Sequence, residues 1–553
     1  MLAGCGGSGD NGSPSTPPPS SSDVTISGKI EFERPTFRNV ANQGLNITSP
    51  SVLPAREVVV EAIDPATRTR IGTATTTDAN GNYSLTVPAN TNVLISARAE
   101  MIKSGSAPTW DFKVRDNTSN NALYVLDGAA FNSGTGGSNR NLLARTGWAG
   151  SSYVDDDRAA APFAILDTVY EATELVLSAQ PSTVFPPLNI YWSAENRATV
   201  NNFCTTTGDI GTTFYTGEVP ASQSENCSPP IALNAGIYVL GDFANGTGDT
   251  DEFDPHVIAH EFGHYIEDKF SRSDSIGGTH DPADRLDMRV AFGEGWGNAF
   301  SGMVLNDPVY RDSQMGVSQD GGFNMESDIQ SGAEGWFSEM SITQILWDLF
   351  DAVDDGADRV SLGFGPIFEV MTGQQRETDA LTSIFTFADA LRATHPAQAG
   401  NINALLTGES IATTDAFGSG ETNSGSVQTA LPIYADIDIN RDPVLVCGSG
   451  ASSDRNKAGY RKFLRLNVPQ AALLTITATG TAVSGGSEAA VDPDIYVYRQ
   501  GAIVQAGLGE APGSEMIPQQ QYAPGQYIIE VYDYNLSNAD STRRCMTVSV
   551  TGS

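Results

Sequence analysis

Asp254-Pro-His-Val-Ile-Ala-His-Glu-Phe-Gly-His-Tyr-Ile-Glu-Asp268 is the stretch on which the reading of this chain turns. It reads as one helix, with Asp254 at the N-cap and Pro255 at the first helical position. Ile258, Phe262 and Ile266 recur every four residues and form an apolar stripe toward a core. His260 and His264 share the same spacing, so their imidazoles stack on another face, roughly 200° around the helix. Two imidazoles on one face can bind one metal ion, and Glu261 sits beside them as a general base. Three of the five histidines fall within nine residues, His256 to His264, which argues against an incidental pair. The pattern points to metal-assisted hydrolysis with Zn2+ as the cofactor.

Zinc needs a third protein ligand and an open position for water. The metzincin pattern, with a glycine seven and a third histidine ten residues after the first, does not fit, because Glu267 and Phe270 stand at those positions. A later carboxylate is the other route. Gly293-Glu-Gly-Trp-Gly-Asn298 supplies Glu294, thirty residues beyond His264 and far enough for the chain to turn back. The glycines around it weaken a helix and suit close approach of backbone.

The outer parts of the chain read differently. A length of 553 residues exceeds one ordinary core. The formal charge is -35, from 66 acidic and 31 basic residues, which argues against nucleic acid and anionic membrane surfaces as partners. No run of 18 apolar residues is present, so no spanning helix is expected. Residues 24 to about 127 read as strands, among them Val24–Ile30, Glu57–Ile63 and Val93–Ala99, with a turn at Asp78-Ala-Asn-Gly-Asn82 leading into Tyr83–Val87. Residues 128 to 160 are Gly/Ser/Asn-rich and read as loop. Gly241–Asp251 is acidic and glycine-rich; it could hold Ca2+ through its oxygens or be a solvated loop. From about 436 the period becomes two, as in Leu464, Leu466 and Val468.

Of five cysteines, Cys204 and Cys227 are expected to pair locally and Cys447 with Cys545, which implies an oxidising compartment. Cys5 stands apart. Met1-Leu-Ala-Gly-Cys5 resembles the lipobox of bacterial lipoproteins, without the basic and apolar segments that precede such a box. Gly6–Ser22 is rich in Gly, Ser and Pro, as a tether would be. That resemblance implies lipidation at Cys5. It makes the expected location extracytoplasmic, either as a bacterial envelope lipoprotein at the outer membrane or surface, or as a secreted protein. A membrane would then be touched through the N-terminal lipid anchor alone.

Three further resemblances organise the chain. The strand–turn–strand pattern of 24–127 is similar to carboxypeptidase regulatory-like sandwiches, usually spacers or binding modules. Asp492-Pro-Asp-Ile-Tyr-Val-Tyr498 and Ala523-Pro-Gly-Gln-Tyr-Ile-Ile-Glu-Val531 resemble the pre-peptidase C-terminal (PPC) domain of secreted bacterial proteases. The helix at 254–268 with Gly293–Asn298 resembles the gluzincins, thermolysin-like metallopeptidases, and most of all the fungalysin-type branch. By that resemblance Glu294 is the third ligand, after His260 and His264. Asn298 stands where the family has an Asp bonded to a ligand histidine. It can accept through its amide oxygen but carries no charge. An oxyanion donor is also implied. His280 in Gly278-Thr-His-Asp281 is the first candidate and Tyr310 the second. His256 reads as a capping-turn residue. The strand Gly236–Leu240 is expected to be the edge that pairs with an extended substrate.

The expected fold is multidomain, an α+β zincin-like catalytic domain, mostly helical around the metal, flanked by two all-β sandwich domains. The expected divisions are a lipobox-like start and linker at 1–22, a sandwich at 23–127, a linker at 128–160, the catalytic domain at 161–430 and a second sandwich at 436–553. The implied activity is zinc endopeptidase action on a polypeptide substrate, with Glu261 as base. The alternative is a surface binding or adhesion protein with an inactive metallopeptidase-like core.

Overall fold

The computed structural model describes residues 22–154, 157–199, 203–220, 227–327, 333–352, 359–449, 455–481, 491–536 and 543–552. Cys5 and the lipobox-like start lie outside the described residues. The helices are α1 (Ala160–Ala179), α2 (Pro255–Phe270), α3 (Met288–Leu305), α4 (Glu339–Phe350), α5 (Phe364–Thr372), α6 (Gln374–Glu377), α7 (Ile384–Thr394) and α8 (Ala399–Gly408). Among the described residues no helix is long and apolar enough to cross a membrane. The molecule is multidomain, with extensive β-sheet around a group of helices.

The N-terminal strands do not form a separate module. Asp23–Arg34 alternates buried positions with exposed or half-buried ones along its length, as a strand with one fully covered face must. Val58–Ile63 is buried at every position, so its sheet is covered on both sides. That second sheet has ten strands. Its main path runs Phe214–Thr216, Gly236–Val239, Leu188–Trp192, Trp110–Asp116, Asn92–Lys103, Val58–Ile63, Arg70–Thr76. Trp110–Asp116 is parallel to Leu188–Trp192, with Phe112 opposite Leu188. A parallel pair needs a long crossover, and this one carries α1.

The boundary expected between residues 127 and 161 is therefore not a break in the sheet. Alternation in the sequence reports that a face is buried, not which element covers it. The expected linker 128–160 is also partly strand. Ser138–Asn139 and Leu142–Ala144 run parallel to Asp23–Arg34, and segments of two or three residues are too short to show a period.

One apolar core runs from Val24 through the helices, while a second lies wholly within the C-terminal region. There, a five-stranded sheet (Tyr434–Ile437, Lys462–Val468, Gly525–Asp533, Pro493–Arg499, Ala502–Gly507) faces a four-stranded one (Val444–Gly448, Arg544–Gly552, Ala472–Thr481, Ser514–Tyr522). Leu464, Leu466, Ile529 and Val531 point into the sandwich. The intervening Phe463 and Ile528, on the opposite face of the same sheet, join the core of the helices. Cys447 and Cys545 are opposite one another on adjacent strands and are disulfide-bonded, S–S 2.05 Å. Cys204 and Cys227 are bonded at 2.06 Å.

Candidate metal centre

α2 begins with Pro255 at its first position, as its sequence predicts. Asp254 occupies the N-cap position, but its side chain makes no capping bond. Its Oδ2 instead accepts from the Ser313 N–H at 2.8 Å and the Ser313 hydroxyl at 2.7 Å. Ile258, Phe262 and Ile266 are buried in the core. His256 is buried too, with Nε2 3.2 Å from the Asp307 carbonyl. It lies in the first turn of α2 and is packed there, and burial pushes its pKa down to about 4.

α3 lies against α2, joined by the Trp296 indole N–H, which donates to the Gly263 carbonyl at 2.9 Å. Gly297 is required at the crossing, because a Cβ there would come within 2.8 Å of the His260 ring. This close approach brings three groups together. His260 Nε2 and His264 Nε2 are 3.0 Å apart, and Glu294 Oε2 lies 3.3 Å from the first and 3.5 Å from the second. Ligand atoms about 2.05 Å from a tetrahedral ion are about 3.3 Å from one another. The triangle has the size a zinc ion requires, and its two imidazoles and one carboxylate are a zinc donor set.

The groups around the triangle are fixed in turn. Asn298 Oδ1 lies 2.9 Å from His260 Nδ1, so this imidazole nitrogen donates to the amide oxygen and leaves Nε2 free to ligate. Glu261 is 7% exposed, and its Oε2 accepts from the Tyr215 N–H at 2.7 Å. Burial raises the Glu261 pKa, against the lowering effect of His260 and His264. Burial alone would raise Glu294 as well, but His264 and His260 hold it well below the usual carboxylate range.

His280 reaches the same place from the loop between α2 and α3. Its Nε2 is 3.4 Å from Glu294 Oε2, and its Nδ1 is 2.8 Å from Glu339 Oε2. Burial opposes protonation of His280, but Glu339 and Glu294 raise its pKa to about 9. Tyr310 stacks on Phe323 with ring centroids 4.9 Å apart and lies 6.4 Å from the His260 ring. It makes no polar contact with the triangle, and His280 does.

Two residues here escape the sequence. Glu339 follows the capping Ser338 at the start of α4, where an acid reads as ordinary helix-end chemistry. Tyr215 contributes through its backbone, which no side-chain motif can signal. The edge strand is also different from the one expected. Gly236–Val239 is flanked on both sides, and among the described residues Phe214–Thr216 ends the sheet.

A second group is wholly acidic. Carboxylate oxygens of Asp249, Asp251 and Asp312 lie within 4.8 Å of one another. Asp249 and Asp251 come from the glycine-rich loop, whereas Asp312 comes from the hairpin strand Val309–Gln314. Asp251 is 3% exposed, its Oδ2 is bonded to the Thr213 hydroxyl, and its Oδ1 is buried with no donor. Burial and the neighbouring carboxylates raise the Asp251 pKa well above the usual range.

No protein-family model and no curated protein matches the chain. Among solved structures, the pre-peptidase C-terminal domain of a Bacillus anthracis collagenase is 17% identical, covering 21% of this chain and 93% of that one, with a TM-score of 0.16. PliG, a periplasmic inhibitor of g-type lysozyme from Aeromonas hydrophila, is 15% identical over 22% of this chain and 97% of its own, at 0.14. CorA, a surface-associated copper-binding protein of Methylomicrobium album BG8, is 14% identical over 21% and 96%, at 0.16. Likenesses at these scores carry no functional argument, so the function is argued from the site itself.

Proposed function

We propose that this protein is a zinc-dependent endopeptidase of the gluzincin type, with a zincin-like core built on α2, α3 and the sheet beside them. The observation that carries this reading is the triangle of His260 Nε2, His264 Nε2 and Glu294 Oε2, with the Glu261 carboxylate beside it. Zinc bound there would supply Lewis-acid polarisation of a peptide carbonyl and a lowered pKa for water. Glu261, held by the Tyr215 N–H, takes the proton of the attacking water and passes it to the leaving amine. Burial raises its proton affinity, which suits a base that must later act as an acid. His280 donates to the oxyanion, with its ring oriented by Glu339. Asn298 orients His260 without adding charge. An extended polypeptide would lie along Phe214–Thr216, the strand whose Tyr215 N–H holds Glu261, which brings its backbone to that carboxylate.

The test combines metal analysis with casein cleavage. The expected result is one zinc per chain and chelator-sensitive cleavage. Glu261→Gln should keep the zinc and lose activity by about 10²–10⁴-fold. Stoichiometric zinc with wild type and Glu261→Gln equally inert would favour the alternative, a surface binding protein with an inactive core. Asn298, in the place of the family's Asp, is the feature that favours that alternative.

For the acidic group we propose calcium, because every donor is an oxygen and Asp251 Oδ1 is buried without a partner. Added calcium should raise Tm, and Asp312→Asn should abolish the response. A wild-type Tm indifferent to calcium would reject the site. Two disulfides fit an extracytoplasmic protein. Within that location we propose an envelope lipoprotein anchored at Cys5, or a secreted enzyme.

A further inference from the structure

The segment Arg455–Arg461 belongs to the C-terminal sandwich, leading into its strand Lys462–Val468. It does not stay within the sandwich. Asn456, 2% exposed, donates from Nδ2 to the carbonyls of Gly277 at 3.0 Å and Thr279 at 3.2 Å. Lys457 Nζ donates to the Thr279 carbonyl at 2.7 Å and pairs with Asp284 at 3.1 Å. The Asp287 N–H donates to the Asn456 carbonyl at 2.7 Å, and the Ala458 N–H to the Arg285 carbonyl at 2.8 Å. Leu286 and Lys457 form an antiparallel bridge. Gly278 has φ +101°, and a Cβ there would meet Asn456 Nδ2 at 2.8 Å, so the amide packs directly on this turn.

The clamped loop carries His280, one residue beyond the Thr279 carbonyl that both side chains hold. It then continues into α3, the helix that bears Glu294. Further along this contact, Arg289 of α3 is buried between Asp287 and Glu530, with its Nη1 2.8 Å from Glu530 Oε2. Arg461 also pairs with Glu530. The sandwich thus grips the loop that presents His280 and the start of the helix that presents Glu294. A spacer or substrate-binding appendage would need neither grip.

We propose that Asn456 and Lys457 are positioning residues for the metal site, holding loop 277–284 so that His280 meets the reacting carbonyl. The C-terminal sandwich is then a component of the catalytic unit. This inference rests on the endopeptidase reading for the role of His280, but the clamp can be measured without it.

The test uses the full-length zinc-loaded protein. Asn456→Asp keeps the shape of the side chain and removes both donated bonds; Lys457→Met removes the ammonium and gives an independent second variant. An oxyanion donor acts in the transition state, so its displacement lowers kcat and leaves KM nearly unchanged. The expected result for Asn456→Asp is a loss of about tenfold in kcat, smaller than the loss of about 10²–10³-fold for His280→Ala. KM and zinc content should be preserved. In a His280→Ala background, Asn456→Asp should change kcat less than about twofold. An equal loss in both backgrounds, or no loss in either, would overturn the proposal. Hydrogen exchange separates this failure from failure of the endopeptidase reading. The amides of 277–284 should exchange faster in Asn456→Asp while those of α2 are unchanged. Unaltered exchange rejects the clamp whether or not casein is cleaved. Faster exchange in a protein whose wild type cleaves nothing keeps the clamp and rejects its catalytic role.

Discussion

The N-terminal strands and the C-terminal sandwich both flank the helices, but they are joined to them by different physics. The N-terminal strands Val58–Ile63, Arg70–Thr76, Asn92–Lys103 and Trp110–Asp116 share a ten-stranded sheet with Leu188–Trp192 and Gly236–Val239. Phe112, on one of those strands, sets its ring edge-on to Phe262 and Tyr265 of α2 at 5.9 and 6.3 Å. The C-terminal sandwich has its own apolar core, and its outer face docks through Phe463, Ile528 and a buried ionic seam of Asp287, Arg289, Arg461 and Glu530. One neighbour is continuous with the helix that bears the histidines. The other has a core of its own and is attached both by a small apolar contact and by directional, charge-bearing ones. Apolar continuity makes a region inseparable, whereas a polar seam fixes orientation and register.

The sharpest way to break this comparison is Phe112→Ala. It removes a buried aromatic side chain and should cost about 3–5 kcal/mol. In calorimetry it should lower the transition in which α2 melts and leave the sandwich transition in place. A change confined to a separate N-terminal transition would mean that the two regions are not one cooperative body. Next in size is Glu530→Gln, which leaves Arg289 and Arg461 without their shared charge and should cost about 3 kcal/mol. Its expected signature is an earlier separation of the sandwich from the helices, with the sandwich's own melting unchanged. If both transitions move together, the seam is not the point of attachment.

The smallest expected effect is a pH dependence. Burial alone would raise the Asp287 carboxyl, but Arg289, bonded to it through Nε and Nη2 at 2.9 Å, holds it below the usual aspartate value. A depressed carboxyl contributes stability that is present above its unfolded pKa, about 3.9, and is lost as pH falls through the lower folded value. Asp287→Asn should therefore be less stable than wild type by about 2 kcal/mol at neutral pH. The difference should persist down to about pH 4 and shrink below it. A difference that shrinks well above pH 4 would place the seam's contribution elsewhere.

Much of the candidate site was legible before any fold was known, because it rests on helical spacing. His260 and His264 four residues apart must share a face, and Glu261 must adjoin it, whatever surrounds the helix. Glu294 was legible from the glycines around it, and Gly297 is indeed where the His260 ring approaches the backbone. What was not legible has no local period. Asp312 and Glu339 join their groups from other elements. Tyr215 acts through an amide. Asn456 is one polar residue in an irregular segment, and its partners lie 177 and 179 residues away. The sheet Lys462–Asp533 is covered on both faces, and alternation revealed the face that fills the sandwich but not that the other meets the helices.

By itself, then, the sequence determined the helix, its two aligned imidazoles and the neighbouring carboxylate, since each follows from spacing along a chain of known geometry. Tertiary structure alone decided which strand ends the ten-stranded sheet, which acid meets His280, that N-terminal strands join the helical body, and that the C-terminal sandwich grips the loop carrying His280. Those are contacts between segments far apart in the chain, and their energies depend on burial and on what lies opposite, which no local pattern encodes.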